Sequence, residues 1–338
     1  MVNFFSKILM PVLYIFVFFL PWQTRWIIRD TIINGDVWEY GRLSLYAFDL
    51  VFLAILFSFV ISHPKEFKHY SKKLIYILPF LVYLVLSLVW SPDKLLTGYF
   101  IVRFIQILLL VVVIFSLNFS KIKLATSFIL GVLSSALLGL WQFFSQSALA
   151  NKWFGLAEQL SFRSGTSVIE TLDGRWLRAY GSLPHPNILA GFILLALVLC
   201  LWLIFQTKKT SSRLLITSCS FILVMTLFFT FSRSIWLVGL ILSLVYLFLN
   251  FKKKNHVPLK IALFSGLILF FALAFIYWPL TATRLGLSDH NRLEAMSATQ
   301  RVSGFADLFS ILKNNFILGT GPDTYTLALQ NIYSDLPG

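Results

Sequence analysis

The chain is expected to fold as an all-α, polytopic membrane helical bundle with about nine spans, and three observations carry that expectation. Of its 338 residues, 58% are hydrophobic and only 12% are charged, a balance that soluble globular domains do not reach. Apolar runs of about 18 or more residues recur, each long enough to cross a hydrocarbon core of roughly 30 Å as a helix. The hydrophilic joints between these runs alternate, lysine-rich and short on one side, arginine-rich and longer on the other. A β-barrel is excluded, because its strands alternate polar and apolar residues in short segments.

In chain order the expected spans are residues 8 to 20, 44 to 62, 74 to 90, 95 to 117, 124 to 145, 187 to 206, 213 to 231, 235 to 250 and 261 to 278. Lys7 ahead of an apolar stretch resembles a signal peptide, but Pro21-Trp22-Gln23 is no small-residue cleavage site, so the stretch reads as the first span. Cys200 and Cys219 both fall inside expected spans, which gives neither a disulfide framework nor a thiolate metal site. The chain reads as a single membrane domain, 1–338, with outer loops at about 21–43, 146–186 and 279–338. In the last of these, Phe305, Leu308, Phe309, Leu312 and Phe316 recur at helical spacing and predict an amphipathic helix.

Charge orients the bundle. The joints holding Lys65 to Lys73, Lys121 and Lys123, Lys208 to Arg213, and Lys252 to Lys260 are basic and short, so with Lys7 they face the cytoplasm by the positive-inside rule. That places the N-terminus in the cytoplasm, the large loops outside and the protein in the cytoplasmic (inner) membrane as a multi-pass chain. The net charge of +14 is a topology signal, and no nucleic-acid partner is read from it. The kind of base says more. Inner joints are almost all lysine, whereas Arg25, Arg29, Arg42, Arg103, Arg163, Arg175, Arg178, Arg233, Arg284, Arg292 and Arg301 lie outside or in the outer half of the membrane. Topology needs only positive charge, but a guanidinium is a planar fork that grips phosphate or carboxylate through paired hydrogen bonds. An arginine-rich outer face therefore points to an anionic ligand, unless these arginines pair with the outer acids as ordinary loop ion pairs.

Three sites stand out. Arg178-Ala-Tyr-Gly-Ser-Leu-Pro-His-Pro-Asn187 opens directly onto an apolar run. Its prolines hold the chain extended and Asn187 is a good N-cap, while His185 reads equally as a structural residue or as an imidazole that donates to phosphate or takes a proton. Phe231-Ser-Arg-Ser234 interrupts two abutting runs and sets Arg233 at the outer interface, either as a snorkelling side chain or as a functional group. Arg103 and Asp49 lie a few residues inside their spans and either serve a site or simply pair with each other. The chain holds no HExxH, CxxC, GxxxxGK[ST] or Rossmann-type glycine motif, so no metal and no cofactor is expected. Gly319-Thr-Gly321-Pro322 reads as a turn.

Taken together, Arg178 to Asn187 opening a span, Phe231-Ser-Arg-Ser-Ile-Trp236 between two spans, and an outer loop with Arg301 followed by Leu318-Gly-Thr-Gly-Pro322 resemble the O-antigen ligase and O-antigen polymerase superfamily over about residues 90–338. The resemblance implies a GT-C-like membrane glycosyltransferase of about twelve spans when complete. It implies transfer of a saccharide from a polyprenyl (undecaprenyl) pyrophosphate carrier to an acceptor hydroxyl, on a lipid or a growing glycan, in lipopolysaccharide or other cell-envelope polysaccharide biosynthesis. It implies that Arg233 and Arg301, and less directly Arg178, bind the pyrophosphate, with His185, Asn187, Arg103 and Asp49 in support. It also implies a catalytic histidine late in the outer loop, yet no histidine follows His290 and the sequence stops at Gly338. The expectation is therefore a truncated record or natural fragment whose base lies beyond Gly338, with His185 as a lesser candidate. The rival function is a transporter or flippase for an anionic lipid-linked saccharide. Such folds show internal repeats and midplane polar sites, and here the polar residues gather at the outer interface.

Overall fold

The computed structural model describes residues 2–33, 35–163, 165–250, 252–253, 256–288 and 292–334; Lys254, His290 and Gly338, named above, lie outside the described residues. The order of elements is α1 (Val2–Phe19), β1 (Arg25–Ile33), β2 (Asp36–Tyr46), α2 (Ala47–Ser62), α3 (Pro64–Ser71), a 3-10 turn at Lys72–Ile77, α4 (Leu78–Leu86), α5 (Lys94–Ser116) and α6 (Lys121–Ser145). Two short strand pairs follow, β3 (Ser147–Ala148) with β4 (Gln159–Leu160) and β5 (Val168–Thr171) with β6 (Gly174–Leu177). The chain continues through α7 (Pro186–Gln206), α8 (Thr210–Phe229), α9 (Arg233–Asn250), α10 (Val257–Ile276), α11 (Trp278–Leu285), α12 (Arg292–Asn315) and α13 (Tyr325–Ser334).

Among the described residues, seven helical stretches are long and apolar enough to cross a membrane, from Pro64–Leu86 to Val257–Ile276. They coincide with expected spans to within a few residues, except that Pro64–Leu86 begins about ten residues early. There Pro64 starts a helix inside the basic joint, and α3 runs through the 3-10 turn into α4. Phe4–Phe19 and Ala47–Ser62 are apolar helices too short to be counted with the seven. The chain is a multi-span helical membrane bundle.

Two compact units divide it. The first comprises Met1–Leu13, Arg25–Phe119 and Ser297–Gly338. The loop of about residues 21–43 is folded: β1 and β2 pair antiparallel from Arg25↔Tyr46 to Ile33↔Asp36, with two irregularities in register. Strand-favouring Val, Ile, Trp and Tyr flank Asn34-Gly35, and Gly35 adopts φ +86°, so the hairpin follows from turn chemistry that the charged residues between the strands obscure. Asp93 starts α5, its carboxylate accepting from the Leu95 and Leu96 amides at 3.0 Å each.

The second unit comprises Tyr14–Thr24 and Ser120–Met296. Its core lies among α6, α7, α8 and α10. In lipid, apolar side chains gain little by exchanging tails for another helix, so association rests on close packing and interhelical polar bonds. Both are present. Phe143 stacks on Phe229 with ring centroids 4.1 Å apart and Phe228 on Trp236 at 5.4 Å. The Thr226 hydroxyl donates to the Ala136 carbonyl at 3.3 Å, joining α8 to α6.

Candidate functional site

Between β6 and α7 the chain runs buried and non-helical from Leu177 to Leu183. A buried segment without a helical ladder must find partners for its amides elsewhere. Gln142, in the last turn of α6, supplies them: its Oε1 accepts from the Gly181 and Tyr180 amides at 2.8 and 3.2 Å, and its Nε2 donates to the Gly181 carbonyl at 2.9 Å. The Ser135 hydroxyl accepts from the Ser182 amide at 3.0 Å. Gly181 is required here, since φ is +61° and a Cβ would sit 2.5 Å from the Ser135 hydroxyl.

This segment delivers Arg178 to the turn between α8 and α9. Arg178 is almost wholly buried; its Nε donates to the Thr230 carbonyl and its Nη2 to the Asn187 side-chain oxygen, each at 2.7 Å. The next carbonyl, of Phe231, accepts from the Nε of Arg284 at 2.7 Å. Phe231 has φ +48°, a left-handed conformation costly for an aromatic residue, so two guanidinium groups hold a strained turn. Arg233 follows immediately. Its Nη2 lies 2.8 Å from Oε2 of buried Glu294, while Arg284 pairs with Oε1 of the same carboxylate. Two guanidinium groups thus share one carboxylate, with Arg178 beside them on the same turn. Burial, then the charge of Arg284, pull the Arg178 guanidinium from 12.5 down to about 9, which leaves it protonated at neutral pH. Arg233 keeps 31% of its side chain exposed and is the member open to a ligand.

His185 and Asn187 exchange the parts expected of them. The N-cap of α7 is His185, whose Nδ1 accepts from the Asn187 amide at 3.0 Å, with Pro186 at the first helical position. Asn187 instead holds Arg178. Because Nδ1 accepts, the imidazole proton sits on Nε2, which reaches the Ser167 hydroxyl at 2.9 Å. Burial, with the charges of Arg178 and Arg284, lowers the His185 pKa from 6.5 to about 4. A histidine depressed in the fold binds fewer protons than in the unfolded chain, so its contribution is intact above about pH 6.5 and is lost as pH falls towards 4. His185→Ala is expected to lower stability by about 1 kcal/mol at pH 7.5 and to flatten the fall in melting temperature between pH 6.5 and 4.5, read by thermal unfolding in detergent.

The remaining expected site residues lie in the first unit. Arg103 pairs with Asp49, and its Nη2 also donates to the Ser44 carbonyl at 2.9 Å and the Tyr99 hydroxyl at 2.6 Å. Asp49 further accepts from the Tyr46 amide at 2.8 Å, closing the start of α2. The pairing that the sequence left open is formed. Arg301 is exposed on α12 with no ion pair among the described residues. The Gly319–Pro322 turn is held by Tyr83, which donates to the Leu318 carbonyl at 2.9 Å, and by Thr97, which donates to the Pro322 carbonyl at 3.2 Å. Among the described residues no group of three or more His, Cys, Asp or Glu side chains is placed to hold a metal ion. Arg284 and Glu294 were not singled out from sequence. Arg284 is one of many arginines in the joints expected outside, and nothing local marks Glu294.

Beside the cluster, α7, α8, α9 and α10 enclose a groove of about 1020 Å³. Its lining is apolar, including Leu197, Val224, Leu240, Leu263 and Phe270, and it extends from Arg233 at the start of α9 to Asn250 at its end. The groove therefore runs the length of that helix, roughly 27 Å at 1.5 Å per residue.

Fold and site together define a polytopic helical membrane protein whose guanidinium cluster opens on a lipid-sized groove. Residues 218–337 match the family model described as O-Antigen ligase, a stretch that includes Arg233, Arg284, Glu294 and Arg301. Over 203 residues, 55% of the chain, it is 24% identical to a "General O-oligosaccharyltransferase" of Acinetobacter baylyi, and the match covers 35% of that protein. The chain thus aligns with about a third of that relative's length. No solved structure matches. The link to O-antigen ligases and oligosaccharyltransferases is at superfamily level.

Proposed function

We propose that the chain is a membrane glycosyltransferase of O-antigen ligase or polysaccharide polymerase type. It moves a saccharide from a polyprenyl-pyrophosphate carrier to an acceptor hydroxyl, on a lipid or glycan, at the outer face of the cytoplasmic membrane. The observation that carries this reading is the convergence of Arg178, Arg284 and Arg233 at the α8–α9 turn, with Arg233 at the mouth of the apolar groove. An anion on a long apolar tail is the ligand such a pairing suits. When the bond between the anomeric carbon and the phosphate oxygen breaks, the electron pair leaves with the pyrophosphate, and preorganised guanidinium groups stabilise that charge. The acceptor hydroxyl must lose a proton. His185 is committed to capping α7, so this reading leaves that task to a residue outside the cluster.

The same proposal takes all nine apolar helices as spans of one membrane domain in a GT-C-like arrangement, with the N-terminus inside. A membrane-impermeant thiol reagent is then expected to label Asp173→Cys, at the exposed β5–β6 turn, in intact cells, and Ser211→Cys only after permeabilisation. Labelling of both in intact cells overturns the orientation. For the reaction, protein reconstituted in a bilayer is supplied with a lipid-pyrophosphate-linked saccharide and a lipid or glycan acceptor. Saccharide on the acceptor with release of lipid pyrophosphate supports transfer. Passage of intact carrier across the bilayer without cleavage overturns it in favour of a flippase.

A further inference from the structure

Among the described residues Glu294 is the acid paired with the cluster, and its placing is unusual. Its side chain is only 8% exposed; Oε1 is held by Arg284, whereas Oε2 lies 2.8 Å from Arg233 yet accepts no hydrogen bond among the described residues. Charge alone therefore holds Arg233 to it, with the guanidinium poorly aimed. A phosphate oxygen offers what this oxygen does not, an aligned acceptor for the fork. Resting on the pyrophosphate reading above, we propose that Glu294 is an internal stand-in for the donor's pyrophosphate. Without donor it neutralises Arg233 and Arg284; on binding, Arg233 leaves Oε2 for a phosphate oxygen while Arg284 stays on Oε1. Glu294 is thus a positioning residue that weakens donor binding but keeps two neighbouring guanidinium groups apart from each other's repulsion until the anion arrives. Arg284, anchored through Nε on the Phe231 carbonyl, is the fixed member of the pair. Arg233, at the groove mouth, is the mobile one.

The test measures binding of inorganic pyrophosphate to the purified full chain in lipid nanodiscs, with chelator present and at low ionic strength. Glu294→Gln removes the competing charge and is expected to bind the probe on the order of tenfold more tightly, the effect of a close charge pair of about 1.4 kcal/mol. Glu294→Asp keeps a counter-charge beside buried Arg284 but falls one methylene short of bridging to Arg233, so it guards against simple misfolding of the Gln variant; an intermediate gain is expected. In the Arg233→Lys, Glu294→Gln double variant the gain should vanish. Weaker or unchanged binding in both Glu294 variants, with wild-type binding that Arg233→Lys abolishes, overturns the stand-in role and leaves the pyrophosphate site intact. No wild-type binding at all removes the site and the stand-in together.

Discussion

Arg178→Met is expected to yield little folded protein, with a loss of roughly 3–5 kcal/mol, taking two hydrogen bonds from a charged donor at about 1.5–3 kcal/mol each. That is a large share of a total of about 5–15 kcal/mol. Methionine fills the space but strands the Thr230 carbonyl, at a turn already strained at Phe231, and the side-chain oxygen of Asn187. Removing a buried charge offsets part of this, since Arg178 is desolvated and repelled by Arg284. The offset is partial because the Thr230 carbonyl remains buried away from water, whereas the Asn187 oxygen, on an exposed side chain, adds less. Arg178→Lys should recover one bond and part of the stability. Monodisperse yield in detergent and melting temperature are the readouts; a variant with the wild-type melting temperature would mean that the turn is held by something other than this side chain.

How much of this was visible in sequence depends on the range over which each feature is decided. The spans are decided by composition within one window, and six of the seven long apolar helices fall within a few residues of where hydropathy puts them, because no tertiary contact can override the absence of charge over some twenty residues; Pro64–Leu86 starts early, in the basic joint. The hairpin of residues 25 to 46 was legible in principle from Asn34-Gly35, but Arg25, Arg29, Asp30, Glu39 and Arg42 break the apolar alternation. They do so because they form ion pairs, Arg25 with Glu39 and Arg42 with Asp30 across the strands, Arg42 with Glu39 along β2, and Arg29 with Asp93 ahead of α5. At the entry to α7 the cap falls to His185 because Pro186 fixes the first helical residue, and Asn187 is then two positions past the cap. The site itself is long-range. Arg178 meets the Thr230 carbonyl across 52 positions and Arg284 meets that of Phe231 across 53, so no local pattern separates these arginines from Arg25 or Arg42, which pair within their own hairpin.

On the proposed function, Arg233→Lys is expected to cut saccharide transfer by about 10²–10³-fold, the usual loss when one preorganised donor is taken from a developing anion. Stability should hardly change. Arg233 bonds neither Thr230 nor Phe231, its own side chain is 31% exposed, and the buried Glu294 carboxylate keeps its pair with Arg284, so the lost contact costs about 1 kcal/mol. The substitution keeps the positive charge at the groove mouth, so attraction of an anionic carrier persists and only the paired, planar contact with phosphate is lost. Rate and stability therefore separate the two arginines: Arg178 holds the turn and is read in melting temperature, whereas the ligand contact proposed for Arg233 is read in turnover. Wild-type turnover by Arg233→Lys, at equal membrane insertion, would remove Arg233 from the chemistry and leave point charge as the turn's whole contribution.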